Sequence, residues 1–162
     1  MREILIKINK SKGIKSTLSV LSYAAVILSV ISFLTLLFIT SRRSLTDAAI
    51  VSLTSAIAFL LVTLTRIFIN AKRPYEVYGF YEVRPKKKLG RSFPSRHVFS
   101  IFLIATLTLS LSMIFSAVLF LFGIILAASR VLLGIHFIRD TVAGAIIGVI
   151  SGICTLSLLY FL

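Results

Sequence analysis

The chain reads as an all-α, polytopic bundle of about five transmembrane helices, preceded by an amphipathic segment at the membrane interface. Three observations predict it. Of the 162 residues, 58% are hydrophobic and the mean hydropathy is +1.05, outside the range of an ordinary soluble domain. The apolar runs reach the ~20 residues that a helix needs to cross the hydrocarbon layer. The polar residues between them gather into short islands.

Residues 1–17 alternate Ile and Leu with Lys and Arg, as in Ile4-Leu5-Ile6-Lys7-Ile8, which suits a cationic segment lying in the interface plane. This polar stretch, with no small-residue cleavage site after the first apolar run, argues against a removable secretion signal. Leu18 to Thr40 is the first span. Ser41-Arg42-Arg43-Ser44 turns the chain, and Asp47 falls early in the next helix, where the dipole favours an acid. The second span covers 48–69, with Arg66 in its last turn. Residues 70–96 are the one sizeable polar connection; they hold all three prolines, Pro74, Pro85 and Pro94. Tyr75, Tyr78, Phe80 and Tyr81 in this connection suit the headgroup level, as interfacial anchors.

From His97 to Ile135 the chain is almost continuously apolar. That length is ~58 Å of helix at 1.5 Å per residue, too long for one span. It divides near Ser110-Leu111-Ser112-Met113 into a third and a fourth helix, both expected to be short. The fifth span starts at Phe137. Its Gly144, Gly148 and Gly152 put a small residue at every fourth position, which lets another helix of the bundle approach closely. Residues 1–17 are thus one interfacial segment and 18–162 a single transmembrane domain.

The formal charge is +13, from 18 Lys+Arg against 5 Asp+Glu. On a soluble protein that excess suggests nucleic acid. Here the cations adjoin apolar spans, and no helix-turn-helix, zinc-finger or base-stacking pattern accompanies them. Anionic lipid head groups are the expected partner and nucleic acid is not; Lys86-Lys87-Lys88 belongs to this lipid-facing or solvated set. Cys154 is the only cysteine, which excludes an intrachain disulfide or a cysteine-cluster metal site. No feature specifies an oligomeric state.

Charged groups near hydrocarbon are costly and are usually placed for function. Three islands hold them. In the first, Arg66 and Arg73 are seven positions apart and share a face if the helix persists; Pro74 sets the exit. Guanidinium groups match phosphate oxygens with forked donors and stay charged when poorly hydrated. In the second, Pro94-Ser95-Arg96-His97, a loop becomes a helix: Ser95 is an N-cap candidate, the first free N–H groups would face an anion, and His97 is able to donate a proton. In the third, Ser129-Arg130 closes a helix, Gly134 permits a turn, and His136 and Asp140 stand at i, i+4. A carboxylate on one imidazole nitrogen fixes the tautomer and leaves the other nitrogen free to attack. An unpaired Asp140 in an apolar helix would cost at least ~2.5 kcal/mol, so a partner in His136 or Arg139 is required. Two histidines and an aspartate could hold zinc, but the surrounding arginines would repel a cation; an anion site is the coherent reading.

The islands resemble the three-part signature of the type 2 phosphatidic acid phosphatase superfamily, K-x6-R-P, P-S-x-H and S-R-x5-H-x3-D, over about residues 48–155. The second and third parts match fully, at Pro94-Ser95-Arg96-His97 and Ser129-Arg130–His136–Asp140. In the first, Arg66 replaces the family's lysine ahead of Arg73-Pro74, with Lys72 a less apt substitute. The resemblance implies a membrane phosphatase without cofactor or metal. His136 would be the nucleophile, forming a phosphohistidine, Asp140 its orienting acid, and His97 the group that protonates the leaving oxygen. Arg66, Arg73 and Arg130, with Ser95 and the backbone around Arg96, would bind the phosphate.

A site at the bilayer boundary implies a lipid phosphate or pyrophosphate. By family likeness the candidates are undecaprenyl pyrophosphate, phosphatidylglycerophosphate and phosphatidic acid, cleaved in the plasma membrane. A lipid phosphotransferase using the same histidine and a non-catalytic lipid-binding protein are the alternatives. The positive-inside rule puts the site on the cytoplasmic face, because the cations of residues 1–17 lie on its side; the resemblance implies an external site. Both sides stay open.

Overall fold

The computed structural model describes residues 2–79 and 89–161, and among them every regular element is a helix. In chain order they are α1 (Arg2–Lys10), α2 (Lys12–Arg43), α3 (Leu45–Ile69), α4 (Pro74–Val77), α5 (Arg96–Leu107, continued by a 3-10 turn at Thr108–Ser110), α6 (Met113–Leu132) and α7 (Ile138–Phe161). Four helices are long and apolar enough to cross a membrane, and α5 is a shorter apolar helix. The expected interfacial rings Phe80 and Tyr81, Pro85 and the Lys86-Lys87-Lys88 patch lie outside the described residues.

The predicted break between the third and fourth helices is present at the 3-10 turn, where Ser112 accepts from Phe115 N at 3.3 Å to start α6. Only α5 is short, however; α6 has 20 residues. The first span also starts earlier than expected, at Lys12, and runs for 32 residues. Once a helix is nucleated, adding polar residues such as Lys15, Ser16 and Thr17 costs little, so it continues past the apolar run. The next start is as the sequence suggests: Ser44 Oγ accepts from Asp47 N at 3.1 Å.

Short α5 is the centre of the bundle. Its Val98, Phe99, Ile101 and Ala105 are fully buried, and Phe99, Leu103 and Leu107 form one core with Leu36 of α2 and Val51 and Val62 of α3. Its main partner is α7. The glycine ladder of α7 faces it: a Cβ on Gly144 would lie 2.6 Å from Ser95 O, and one on Gly148 2.5 Å from Phe99 O. The two backbones are therefore in contact, which sets the N-terminus of α5 against the start of α7. At 12 residues, about 18 Å, α5 is shorter than the ~30 Å hydrocarbon thickness. One of its ends is thus sunk below the interface.

The amphipathic segment docks onto the bundle. Leu5 is buried against Tyr75, Asn9 Nδ2 donates to Leu132 O at 3.2 Å, and Arg2 Nε donates to Tyr78 O at 3.2 Å. Tyr75, expected as an interfacial ring, is instead buried beneath α1, because the apolar face of α1 needs a partner and finds one there.

Candidate active site

The three islands converge at the N-terminal end of α5. Asp140, in the first turn of α7, is wholly buried. Its Oδ2 accepts from Phe137 N at 3.0 Å and from Ser92 Oγ at 2.5 Å. His136 lies in the turn between α6 and α7, with Nδ1 3.7 Å from Asp140 Oδ2 and 3.3 Å from Ser92 Oγ. The direct distance is too long for a hydrogen bond. Ser92 bridges it: Nδ1–H donates to Ser92 Oγ, and the hydroxyl donates to Asp140. The required partner for Asp140 is thus His136 through Ser92, with Arg139 Nε 3.6 Å from Oδ1 on the other side. This arrangement leaves Nε2 of His136 as the unengaged nitrogen.

The turn that presents His136 follows from local sequence. Gly134 adopts φ 66°, a conformation that glycine takes without a Cβ clash, and Arg130 O accepts from Ile135 N at 3.0 Å and His136 N at 3.3 Å. The second island is tied to the third through the backbone, Ser95 N donating to Asp140 O at 2.9 Å. Ser95 occupies the N-cap position but makes no capping bond; its hydroxyl is buried and has no hydrogen-bond partner among the described residues.

Arg66 and Arg73 come together differently from the sequence expectation. Helix α3 stops at Ile69 because Asn70 adopts the left-handed conformation, φ 42°, so the two arginines do not share one helical face. Arg73 instead begins α4, its N–H donating to Glu76 Oε1 at 3.0 Å, while Glu76 also accepts from Gly90 N at 2.8 Å. Arg73 Nε donates to Gly90 O at 3.0 Å and Nη1 to Ile135 O at 3.4 Å. Arg66, buried, directs Nη1 to Ser92 O and Pro94 O, pinning the loop that carries Ser92. Arg96 rests over the Phe59 ring at 5.7 Å.

His97 is exposed on the first turn of α5 and feels the charges of Arg130, His136, Arg96 and Arg66. Burial, the largest influence, pushes the pKa of His136 below the ordinary histidine value; the Asp140 carboxylate opposes this, and Arg73 and Arg66 reinforce it. His136 is therefore a neutral imidazole at neutral pH.

Cavities meet at this cluster from several sides. His136 opens on one of about 590 Å³, bounded also by Leu5, Lys72, Tyr78 and Arg139. His97 and Arg96 open on a cleft of about 340 Å³ between α2, α3 and α5, and an apolar cavity of about 290 Å³ continues it, sharing Phe33, Phe59, Ser100 and Ile104. Ser92, Glu76 and Arg91 belong to no recognised spacing; only their placement in the polar connection marked them.

A family model described as PAP2 superfamily matches residues 47–161. Among solved structures, the chain is similar to LpxE of Aquifex aeolicus, at 26% identity over 96% of this chain and 93% of that one, with a TM-score of 0.69. It shares the fold of a transmembrane PAP2-type phosphatidylglycerolphosphate phosphatase from Bacillus subtilis, at 17% identity over 99% of this chain and 85% of that one, with a TM-score of 0.73. No curated protein matches the chain.

Proposed function

The chain belongs to the PAP2 superfamily, and from that premise we propose that it is an integral membrane phosphatase that hydrolyses a lipid phosphate or pyrophosphate, acting in the plasma membrane through a phosphohistidine and without a metal. The carrying observation is His136, whose Nδ1 is engaged by Ser92 and Asp140, so that Nε2 is the nitrogen left to attack phosphorus. As Nε2 bonds to phosphorus, the bond to the leaving oxygen breaks and His97 gives that oxygen a proton. His97 then takes a proton from water as water displaces the histidine. Arg66, Arg73 and Arg130 neutralise the non-bridging oxygens, with Ser95 and the N-terminal N–H groups of α5 around Arg96. The work is positioning and charge stabilisation, as phosphoryl transfer requires. The apolar cleft leading from His97 between α2, α3 and α5 supports a lipid substrate, since it offers an alkyl tail a path toward the bilayer.

The test is phosphate release from a panel of lipid phosphates by the purified chain, in the presence of a metal chelator. The wild type releases phosphate, and His136→Ala, folded as judged by circular dichroism, loses at least about 10³-fold in kcat. Undiminished activity in that variant would refute the assignment. Recovery of phosphorylated alcohol in place of inorganic phosphate would show a transferase.

A further inference from the structure

Resting on the phosphatase reading, the geometry points to a second anion subsite, formed by Arg91 and Arg96, which holds the inner phosphate of a lipid diphosphate while Arg66 and Arg73 face the terminal one. A cavity of about 100 Å³ is bounded by Arg66, Arg73, Arg91 and Arg96 together with Thr63 and Gly90, and among the described residues no acid lines it. A phosphomonoester carries about −1.5 to −2 charges at pH 7, which Arg66, Arg73 and Arg130 already match. Arg91 is exposed and Arg96 half-buried at the rim of this cavity, and their repulsion of the neighbouring guanidiniums is relieved when more negative charge arrives.

Their positions fit an inner phosphate. Arg96 is held over Phe59 at 5.7 Å and borders both the arginine cavity and the tail cleft beside His97. It therefore stands where the group joining a tail to a terminal phosphate must pass. Arg91 is placed by a left-handed backbone, φ 54°, uncommon for a residue other than glycine. Both its neighbours are fixed: Gly90 by Glu76 and Arg73, Ser92 by Ala71 O at 2.9 Å and by Asp140. The loop is thus bonded in place on either side of this side chain.

With such a substrate, His136 Nε2 bonds to the terminal phosphorus and the bridging P–O bond breaks. Its electron pair stays on the bridging oxygen, which departs as an oxygen of the lipid monophosphate. Arg91 and Arg96 neutralise the charge that collects there, and His97 supplies a proton. Water then cleaves the P–N bond and releases inorganic phosphate.

The experiment compares wild type and Arg91→Gln on an alkyl diphosphate and on the monophosphate of the same alcohol. The diphosphate kcat/KM falls about tenfold or more, as for loss of a hydrogen bond to a charged group, while the monophosphate value changes by less than about threefold, as for a solvated surface charge. Inorganic pyrophosphate inhibits wild-type monophosphate hydrolysis more strongly than inorganic phosphate does, and Arg91→Gln removes the difference. Equal losses on both substrates, or no loss on either, would overturn the subsite alone. Wild-type protein that releases phosphate from neither lipid would overturn the parent reading and the subsite with it.

Discussion

Ser92 occupies no signature position, yet its hydroxyl donates to Asp140 Oδ2 at 2.5 Å and lies 3.3 Å from His136 Nδ1. Removing it leaves the imidazole and the carboxylate 3.7 Å apart with nothing between them. Ser92→Ala should lower kcat about tenfold with KM little changed, and should lower stability by ~1–3 kcal/mol as a buried acceptor loses its donor. Steady-state kinetics and thermal melts check this; a raised KM at constant kcat would assign Ser92 to substrate binding instead. His136 carries a second prediction. Its pKa lies below the ordinary 6.5, through burial first, and the neutral imidazole is the attacking form. Lowering the pH removes activity only once it passes that depressed value. After correction for the substrate's own ionisation, the acid limb of kcat/KM should therefore lie below pH 6.5. A limb at or above 6.5 would contradict a neutral, buried nucleophile.

Among the elements, the α5–α7 contact fixes the site, and its glycines were visible as a four-residue repeat before their partner was known. Gly144→Ala drives a Cβ toward Ser95 O, which is backbone and has no rotamer to give. The helices must separate, at a cost of ~1–3 kcal/mol, and the Ser95 N to Asp140 O bond at 2.9 Å loosens with them. A lower melting temperature together with reduced kcat is expected; unchanged activity would mean that the close approach does not position the site. Local patterning was enough to locate the break at 110–113 and to put Asp47 in the first turn of α3, since both depend on adjacent residues. It left the shared face of Arg66 and Arg73 conditional, because helix persistence past Ile69 is decided by Asn70 in the left-handed conformation and by the Glu76 carboxylate reaching both Arg73 and Gly90.

At the scale of the molecule, the cleft between α2, α3 and α5 gives the site a direction. Ser100 lines both of its cavities. Ser100→Phe should therefore lower kcat/KM for a long-chain lipid phosphate about tenfold or more and leave a short soluble phosphate ester within about twofold. Parallel effects on the two substrates would place the tail elsewhere. Hydropathy and residue spacing alone were sufficient for the membrane class, the order of the helices and the islands that carry the arginines, histidines and aspartate, because those properties reside in neighbouring residues. The bridge through Ser92, the burial of Tyr75 under α1, the gathering of four arginines about one cavity and the opening of the cleft required the folded chain. Each joins residues distant in sequence, and nothing short of helix packing brings them within contact range.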